Sequence, residues 1–460
     1  TKMVYIKLIQ NGSSVQALVD TTNNTGTGAG YFTGNYLGTD MSVTASSMPL
    51  ATTSGGSGYG VDILYTTAKV SLTGTNTFSG GITLNNTVTS VTSGNPQYTQ
   101  TALGTLQVPS LSSVGSITNN GLLIQSGSAA ETYSGIMSGA GYFIKNSANT
   151  LTLNGANSFT GTAVVNTGTL QLGTGGTTGT LASASAIYLP SYSATSNLLV
   201  NHSDNVTMAA SVSGAGNFEK MGSTTLTLGG SYQNAVFNID GGGLVLQNDA
   251  PNPTSKTFAG TGVLRIQSAG TSFTSAFSTT GWNFGNSLTG LTLGKSGNTA
   301  AVTVGSDTTV SGPISIFGGA VTLSNSLTTS NASTGDIGIT TTGLTGAGGI
   351  SLADGRTLTV TQSGTSNYAG VIAGTGVGLV KAGAGRLNLA AANTYSGGTT
   401  VSAGGLGLYV NTAAGSGDMS LAAGTSLFLG RAVTQVANNI SLTGNATVDL
   451  DTAVDYLIVG

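Results

Sequence analysis

Short runs in which apolar and polar residues alternate, separated by glycine-containing turns, recur throughout the sequence. From Tyr368 to Tyr409 these runs are VGLVK, RLNL, TTV and GLGLY. None of them is long enough for a helix of ordinary length, and their Thr, Val and Tyr residues favour strands. The pattern therefore predicts an all-β protein built from very short strands.

This stretch has related copies elsewhere in the chain. Two begin at Ser138 and Ser213, a fragment begins at Ser71, and a weaker copy covers Val302–Leu323. The Leu-x-Leu step of the copies begins at Ser71, Leu151, Leu226 and Leu387. The first two intervals are nearly equal, and the last is two periods long if the weak copy fills it. One solenoid turn takes ~20–45 residues. We therefore expect a parallel β-solenoid in which each repeat of about 80 residues contains several coils.

The copies share a signature: a Gly-x-Gly turn, a short strand ending in Lys, a Leu-x-Leu strand, an Asn-Thr-Tyr/Phe-Ser-Gly-Gly segment, Thr-Thr-Val and a Gly-Leu strand. It is matched at Gly374–Gly376, Lys381, Leu387–Leu389, Asn393–Gly398 and Thr399–Val401, and again at Gly139–Gly141, Lys145, Leu151–Leu153 and Asn157–Gly161. This signature resembles the autotransporter-associated β-strand repeat of bacterial surface proteins. The resemblance implies a right-handed parallel β-helix (β-solenoid) exported to the cell surface, and it brings no catalytic residues with it.

Composition supports a secreted β-rich protein. Only 6% of the residues are charged, against a usual ~25%, whereas the 38% of hydrophobic residues is enough to form a core. The 12 basic residues form no cluster, so we expect no nucleic-acid partner. The absence of Cys excludes disulfides, zinc–thiolate sites and thiol catalysis.

The start of the chain and its hydropathy bear on its location. The sequence opens with Thr1, without a signal peptide or an apolar run long enough to cross a membrane. We expect a processed or excised segment, the passenger alone if this is an autotransporter. It would be extracellular or on the bacterial cell surface, without membrane insertion.

Breaks in the repeat pattern suggest four regions. Residues 1–70 are predicted as an N-terminal cap or small β region, 71–250 as β-solenoid repeats, 251–330 as an irregular solenoid segment, and 331–460 as further repeats and C-terminal strands. Pro251 and Pro253 interrupt strand pairing in the irregular segment, which also holds Trp282. The segment could carry an excursion with a binding surface, but we favour Trp282 as a side chain that fills a coil.

Two positions of the signature carry conspicuous side chains. Lys145, Lys220 and Lys381 share one position, and we interpret them as solvated or corner-facing side chains rather than as a cationic ligand row. Aromatic residues share another position, where stacked coils could align them into a ladder; they are Phe78, Phe159 and Tyr395.

The sequence offers little for catalysis. His202 is the only histidine, and although Asp204 is close, no nucleophile turn accompanies them. We therefore interpret His202 as a surface-loop residue. Polysaccharide lyases and pectinases share the parallel β-helix, but they need several carboxylates and cations on one coil face, and this chain has only two Glu, Glu131 and Glu219. We predict no enzyme, and no catalytic, cofactor-binding or metal-binding residues.

One acidic group leaves an alternative open. Asp449, Asp451 and Asp455 could supply oxygen ligands to Ca²⁺, yet they lack the Gly turn and the terminal Glu of an EF-hand loop. We favour solvated carboxylates on an outward strand face, and the sequence does not decide between the two.

Two non-catalytic functions remain. The terminal segments MVYIKLIQ and DYLIVG are apolar predicted strands, each able to pair with a neighbouring subunit. The chain would then self-associate end to end as a structural rod, the building block of an extracellular fibre or sheath. The alternative is an autotransporter-type adhesin stalk that binds surface glycans or proteins, and a polysaccharide-active enzyme is a remote third.

Overall fold

The computed structural model describes residues 81–84, 105–190, 196–234, 236–247 and 255–451, together with the backbone of short strands within residues 4–103 and at 458–459. Within these residues the secondary structure is β-strand without α-helix, coiled as a parallel β-solenoid of about 16 turns. No helix long and apolar enough to span a membrane occurs in the described part of the chain. The chain divides into two compact units, Thr1–Asn234 and Ala235–Gly460.

The described part of the first unit consists of short strands. They are β1 (Val4–Asn11), β2 (Ser14–Asp20), β3 (Tyr31–Gly34), β4 (Asp40–Thr44), β5 (Gly60–Ile63), β6 (Lys69–Thr73), β7 (Gly81–Leu84), β8 (Asn86–Ser90), β9 (Thr99–Leu103), β10 (Thr105–Val108), β11 (Ile117–Asn119), β12 (Leu122–Gln125), β13 (Glu131–Tyr133), β14 (Met137–Ser138), β15 (Tyr142–Leu153), β16 (Thr162–Leu172), β17 (Ala186–Leu189), β18 (Ser196–Asn201), β19 (Val206–Met208), β20 (Ser211–Gly214), β21 (Asn217–Met221) and β22 (Thr225–Leu228).

The start of the first unit differs from the rest in its pairing. β1 pairs with β2, and β2 with β3, in antiparallel fashion, whereas β1 also pairs in parallel with β5. The strand predicted for MVYIKLIQ is confirmed as β1. β8 and β9 form a second antiparallel hairpin. Parallel pairing then dominates the unit.

Parallel pairing in the first unit stacks successive coils. Leu122 of β12 pairs with Tyr142 of β15, and Tyr142 pairs with Thr162 of β16. The two steps are equally long in sequence. The strand that follows each turn therefore lies beside its predecessor, as a solenoid requires.

The described part of the second unit also consists of short strands. They are β23 (Val236–Asp240), β24 (Gly243–Gln247), β25 (Thr257–Gly260), β26 (Val263–Gln267), β27 (Phe277–Ser278), β28 (Asn283–Phe284), β29 (Gly290–Leu293), β30 (Val302–Val304), β31 (Thr308–Val310), β32 (Ile314–Leu323), β33 (Leu327–Thr329), β34 (Ile337–Gly346), β35 (Ile350–Ser351), β36 (Thr357–Gln362), β37 (Ser366–Tyr368), β38 (Ile372–Ala373), β39 (Gly378–Ala382), β40 (Arg386–Leu389), β41 (Thr399–Val401), β42 (Gly405–Leu408), β43 (Met419–Leu421), β44 (Ser426–Leu429), β45 (Gln435–Val436), β46 (Ile440–Leu442), β47 (Thr447–Leu450) and β48 (Ile458–Val459).

The coils of the second unit are short. Leu379 of β39 pairs with Thr399 of β41, and Arg386 of β40 pairs with Gly405 of β42. Each coil is therefore at the lower end of the ~20–45 residues that one solenoid turn takes. A separate short sheet, β31-β33-β35-β38, forms another side of the coils. Of the segment 251–330, predicted to be irregular, residues 255–330 consist of β25 to β33 and the turns between them; Pro251 and Pro253 lie outside the described residues.

The core follows from the alternation along each strand. In β36 and β39 every second side chain is buried, and the buried ones stack on each other from coil to coil. Leu358 pairs with Leu379, and Val360 pairs with Lys381, which in turn pairs with Val401. One inward column of the core therefore contains a lysine between two valines.

Candidate functional site

The three lysines of the repeat signature are buried. Lys145 and Lys381 are 0% exposed and Lys220 is 2% exposed. Each lies two residues after a buried apolar residue and so shares its inward face, as Lys381 does with Leu379. The interpretation of these lysines as solvated side chains is wrong, whereas the corner-facing alternative agrees with the turns that their ammonium groups reach. Each lysine side chain reaches its turn from the interior of the solenoid. The strict alternation of side-chain direction along VGLVK, which places Lys381 on the same face as Leu379, was the sequence signal for this burial.

The ammonium group of each lysine binds the carbonyl groups of a glycine-containing or polar turn. Lys381 Nζ donates to Ala382 O at 2.8 Å, to Gly383 O at 2.9 Å and to Ala403 O at 3.3 Å. Ala403 belongs to the next coil, 22 residues further on. We call a lysine with these acceptors a lysine corner; it joins the turn of one coil to the turn of the next.

The other two lysines also bind the carbonyl groups of turns. Lys145 Nζ donates to Ser147 O, to Asn149 Oδ1 at 3.1 Å and to Thr167 O of the next coil at 3.1 Å. Lys220 Nζ donates to Gly222 O. A buried charge is costly unless it is hydrogen-bonded, and an ammonium group has three donors to place. The turn carbonyls supply the acceptors that solvent would otherwise provide.

Burial also changes the acid–base behaviour of the lysine corners. Desolvation lowers the pKa of Lys145 and of Lys381 to about 8, and it lowers the pKa of Lys220. The negative charge of Glu131 opposes this effect at Lys145 by raising its pKa. Among the described residues, no carboxylate forms an ion pair with Lys381. Its positive charge is balanced by carbonyl dipoles alone.

These shifts predict that the protein becomes more stable as the pH rises from about 7.5 to about 9.5. In the unfolded chain a lysine keeps its ordinary pKa of about 10.4, so the unfolded state binds more protons than the folded state between about pH 8 and pH 10. The free energy of unfolding rises with pH wherever that is true. We expect a gain on the order of 1 kcal/mol for each of Lys145 and Lys381, measured by urea unfolding at a series of pH values.

The matched control for this pH dependence is the double variant Lys145→Met with Lys381→Met, in which the rise should be smaller. Above about pH 10 the trend should reverse, because burial raises the pKa of Tyr133 and Tyr368 and the unfolded chain then loses phenol protons that the folded state keeps. A flat profile of the natural protein up to about pH 9.5 would contradict the assignment of lowered pKa values.

Asparagine is a second coil-joining position, which sequence reasoning missed. Asn393 Oδ1 accepts from Ile372 N at 2.8 Å, 21 residues earlier, and its Nδ2 donates to Ala413 O, 20 residues later. In the first unit Asn157 does the same, accepting from Met137 N at 2.9 Å and donating to Thr180 O at 3.2 Å. One amide therefore bridges three successive coils. The signal was the Asn two residues before the aromatic residue in both copies.

The aromatic residues of the signature are buried, but the clearest aromatic ladder uses other residues. Phe159 and Tyr395 are each 0% exposed, and Phe78 lies outside the described residues. The ladder is formed by Phe237, Phe258 and Phe284, which pair in register in three successive coils of the second unit. Their ring centroids are 5.4 and 5.5 Å apart.

Trp282 lies beside this ladder, inside the solenoid. It is 3% exposed, with its ring centroid 5.5 Å from that of Phe258 and 5.4 Å from that of Phe277. The preferred interpretation of Trp282 as a side chain that fills a coil agrees with this position. A buried indole offers no surface to a partner.

His202 is also buried, so its interpretation as a surface-loop residue is wrong. It is 4% exposed, and its Nδ1 lies 3.3 Å from Asp204 Oδ1. Nε2 has no hydrogen-bond partner among the described residues. The cavity beside the ring measures only about 10 Å³, room for about one water molecule. The pair has the contact of a catalytic dyad without space for a substrate.

The remaining acidic candidates are scattered. Glu131 Oε2 accepts from Leu111 N at 2.9 Å and from Ser112 N at 3.1 Å, so it holds a turn. Asp449 is exposed on β47 and Asp451 is half-buried after it, whereas Asp455 lies outside the described residues. No group of three or more His, Cys, Asp or Glu side chains placed to hold a metal ion was found in the part that the structure describes.

The lysines and the described aromatic residues of the signature are thus buried, and four of its polar residues, Lys145, Asn157, Lys381 and Asn393, bind atoms of adjacent coils. Three stretches that contain them, residues 67–86, 143–172 and 379–408, match the family model described as the passenger-associated-transport-repeat. The chain carries passenger-associated-transport-repeats. The second match contains Lys145 and Asn157, and the third contains Lys381 and Asn393.

The passenger-associated-transport-repeats confirm the resemblance seen in the sequence. Together with the β-solenoid they fit an autotransporter passenger, and they imply a secreted or cell-surface protein. No curated protein and no solved structure matches the chain. The polar signature residues Lys145, Asn157, Lys381 and Asn393 hold adjacent coils together, because their side chains bind backbone groups of those coils.

Proposed function

We propose that this chain is a non-catalytic structural passenger, a solenoid displayed outside a bacterial cell. The observation that carries the proposal is the burial and the hydrogen bonding of the side chains of the repeat signature. Its lysines, Asn393 and its described aromatic residues are buried, and Lys145, Lys381 and both asparagines bind backbone groups of adjacent coils. A repeat whose most distinctive side chains are used to hold coils together serves extension and rigidity.

The finer form of the proposal is a right-handed solenoid, built from the long sequence repeat, that associates end to end. Exposed apolar side chains in the last described coils support the association. Leu442, Val448 and Leu450 are 56%, 49% and 41% exposed, although they pair with the buried Leu421, Leu427 and Leu429. Such a face gains stability when another coil covers it.

Surface display is tested by labelling intact producing cells with an antibody against residues 255–451 and by treating the cells with a protease. We expect labelling of unbroken cells and cleavage of the chain while a cytoplasmic marker stays intact. Labelling only after the cells are broken would overturn the proposal.

End-to-end association is tested separately by sedimentation. The double variant Leu442→Asp with Val448→Asp should reduce the fraction of assembled protein, and an unchanged distribution of sedimentation coefficients would contradict end-to-end association.

A further inference from the structure

A groove of about 320 Å³ crosses five successive coils of the second unit. Its lining takes one short segment from each coil: 297–299, 317–319, 340–342, 361–363 and Gly383. Strand pairing fixes the alignment, because Phe317 pairs with Thr340 and Thr340 pairs with Thr361. Coils lie about 4.8 Å apart, so the groove follows the solenoid axis of this unit for roughly 19 Å.

Glycines keep the groove open. Gly318, Gly319 and Gly383 contribute backbone but no side chain to the lining. Bulkier residues cannot easily replace them, since a Cβ at Gly319 would lie 2.1 Å from Thr299 O and a Cβ at Gly383 would lie 2.5 Å from Gln362 O. The depression is therefore fixed by the stacking of the coils.

The lining places one aromatic ring among hydroxyl and amide groups, of which the amides of Asn298 and Gln362 already bind backbone carbonyls. None of the lining residues carries a charge, and most of the side chains are hydroxyls or amides. Within the described residues the hydroxyls of Thr340 and Thr361 form no side-chain hydrogen bond and face outward, so they are available to a ligand. Phe317, half-buried beside them, adds an aromatic ring to the lining.

We propose that this threonine groove binds a neutral glycan chain along the solenoid axis. Phe317 stacks on the apolar face of one sugar ring, while Thr340 and Thr361 exchange hydrogen bonds with sugar hydroxyls. The spacing of the coils is comparable to one sugar unit of an extended glycan, so successive coils meet successive rings. An uncharged lining selects against anionic polymers, because it offers no cation to replace their lost hydration. This binding activity goes beyond structural display.

The test is calorimetric titration of the whole chain with neutral hexasaccharides (maltohexaose, cellohexaose and laminarihexaose), with hexagalacturonate and a heparin hexasaccharide as anionic comparators. We expect at least one neutral glycan to bind, with an affinity that changes less than about twofold between low and high salt, because screening acts on charges. Phe317→Ala, and Thr340→Val with Thr361→Val, should each weaken binding about tenfold or more.

The matched control is Thr322→Val with Thr345→Val. These two threonines lie in the same coils as Phe317 and Thr340, outside the groove, with their hydroxyls 3.1 Å apart. The control should bind as the natural protein does, and all variants should keep the circular dichroism spectrum of the natural protein and stay folded at the temperature of the titration. Binding of anionic glycans alone, binding that the groove variants leave unchanged, or no binding of any neutral glycan would each overturn the proposal. Surface display would stand in each case.

Discussion

Replacing Gly370 by alanine should destabilise the second unit by about 3 kcal/mol, the upper part of the usual range for overpacking. A Cβ at this position would lie 2.1 Å from Gly348 O and 2.4 Å from Tyr368 Oη. Tyr368 is 0% exposed, and its hydroxyl donates to that same Gly348 O. The added methyl group therefore displaces both a ring and the backbone carbonyl that anchors it. Urea unfolding followed by circular dichroism measures the loss.

Gly338→Ala is the matched control for Gly370→Ala. Gly338 lies in β34 of the same unit, and a Cβ there would meet no atom within 4 Å. We expect no loss of stability, or a gain of up to about 1 kcal/mol from the reduced entropy of the unfolded chain. Equal effects of the two substitutions would show that the tyrosine does not depend on the glycine after it.

The same arrangement occurs in the first unit. Tyr133 Oη donates to Gly115 O at 2.6 Å, and a Cβ at Gly135 would lie 2.5 Å from Tyr133 Oη. An aromatic residue followed two positions later by glycine is thus a unit of this solenoid: the ring fills the coil and the glycine leaves space for it. Neither Gly135 nor Gly370 has a positive φ, so close approach is the reason for glycine at both positions.

The fold was predictable because its signals are local. Alternating short strands and a recurring signature indicate stacked coils, and β15 and β39 lie where the runs YFIK and VGLVK predict them. The family resemblance was also recognisable from the sequence signature alone. Strand pairing between coils adds the register, which no single strand contains.

The positions of polar side chains were harder to predict. Lys381 and His202 were expected at the surface because burying a charged or polar group without a partner is costly. The partners of Lys381 are turn carbonyls, one of them 22 residues away in the next coil, and these appear only when the coils stack. The groove around Phe317 was missed for the same reason, since five coils each supply a small part of it.

Phe258→Ala should produce the largest loss of stability, about 3–5 kcal/mol. Phe258 is 0% exposed and lies at the centre of the aromatic ladder, with Phe237 and Phe284 stacked on either side and Trp282 at 5.5 Å. Truncation removes the ring contacts of three neighbours and leaves a cavity that adjacent coils cannot fill, because their own backbones are fixed by parallel pairing. The fluorescence of Trp282, the only tryptophan, reports the unfolding of this region directly.

Phe317→Ala makes the same chemical change at a half-buried ring on the groove, so it separates the role of the ladder from that of phenylalanine in general. We expect this variant to lose clearly less, about 1–2 kcal/mol, because part of the apolar area that it removes was already in contact with water. If the free energy of unfolding fell by the same amount in both variants, stacking in the aromatic ladder would contribute nothing beyond the burial of a single ring. A loss confined to Phe258→Ala would show that one position holds three coils together. A solenoid whose coils contact only their neighbours concentrates its stability at such positions.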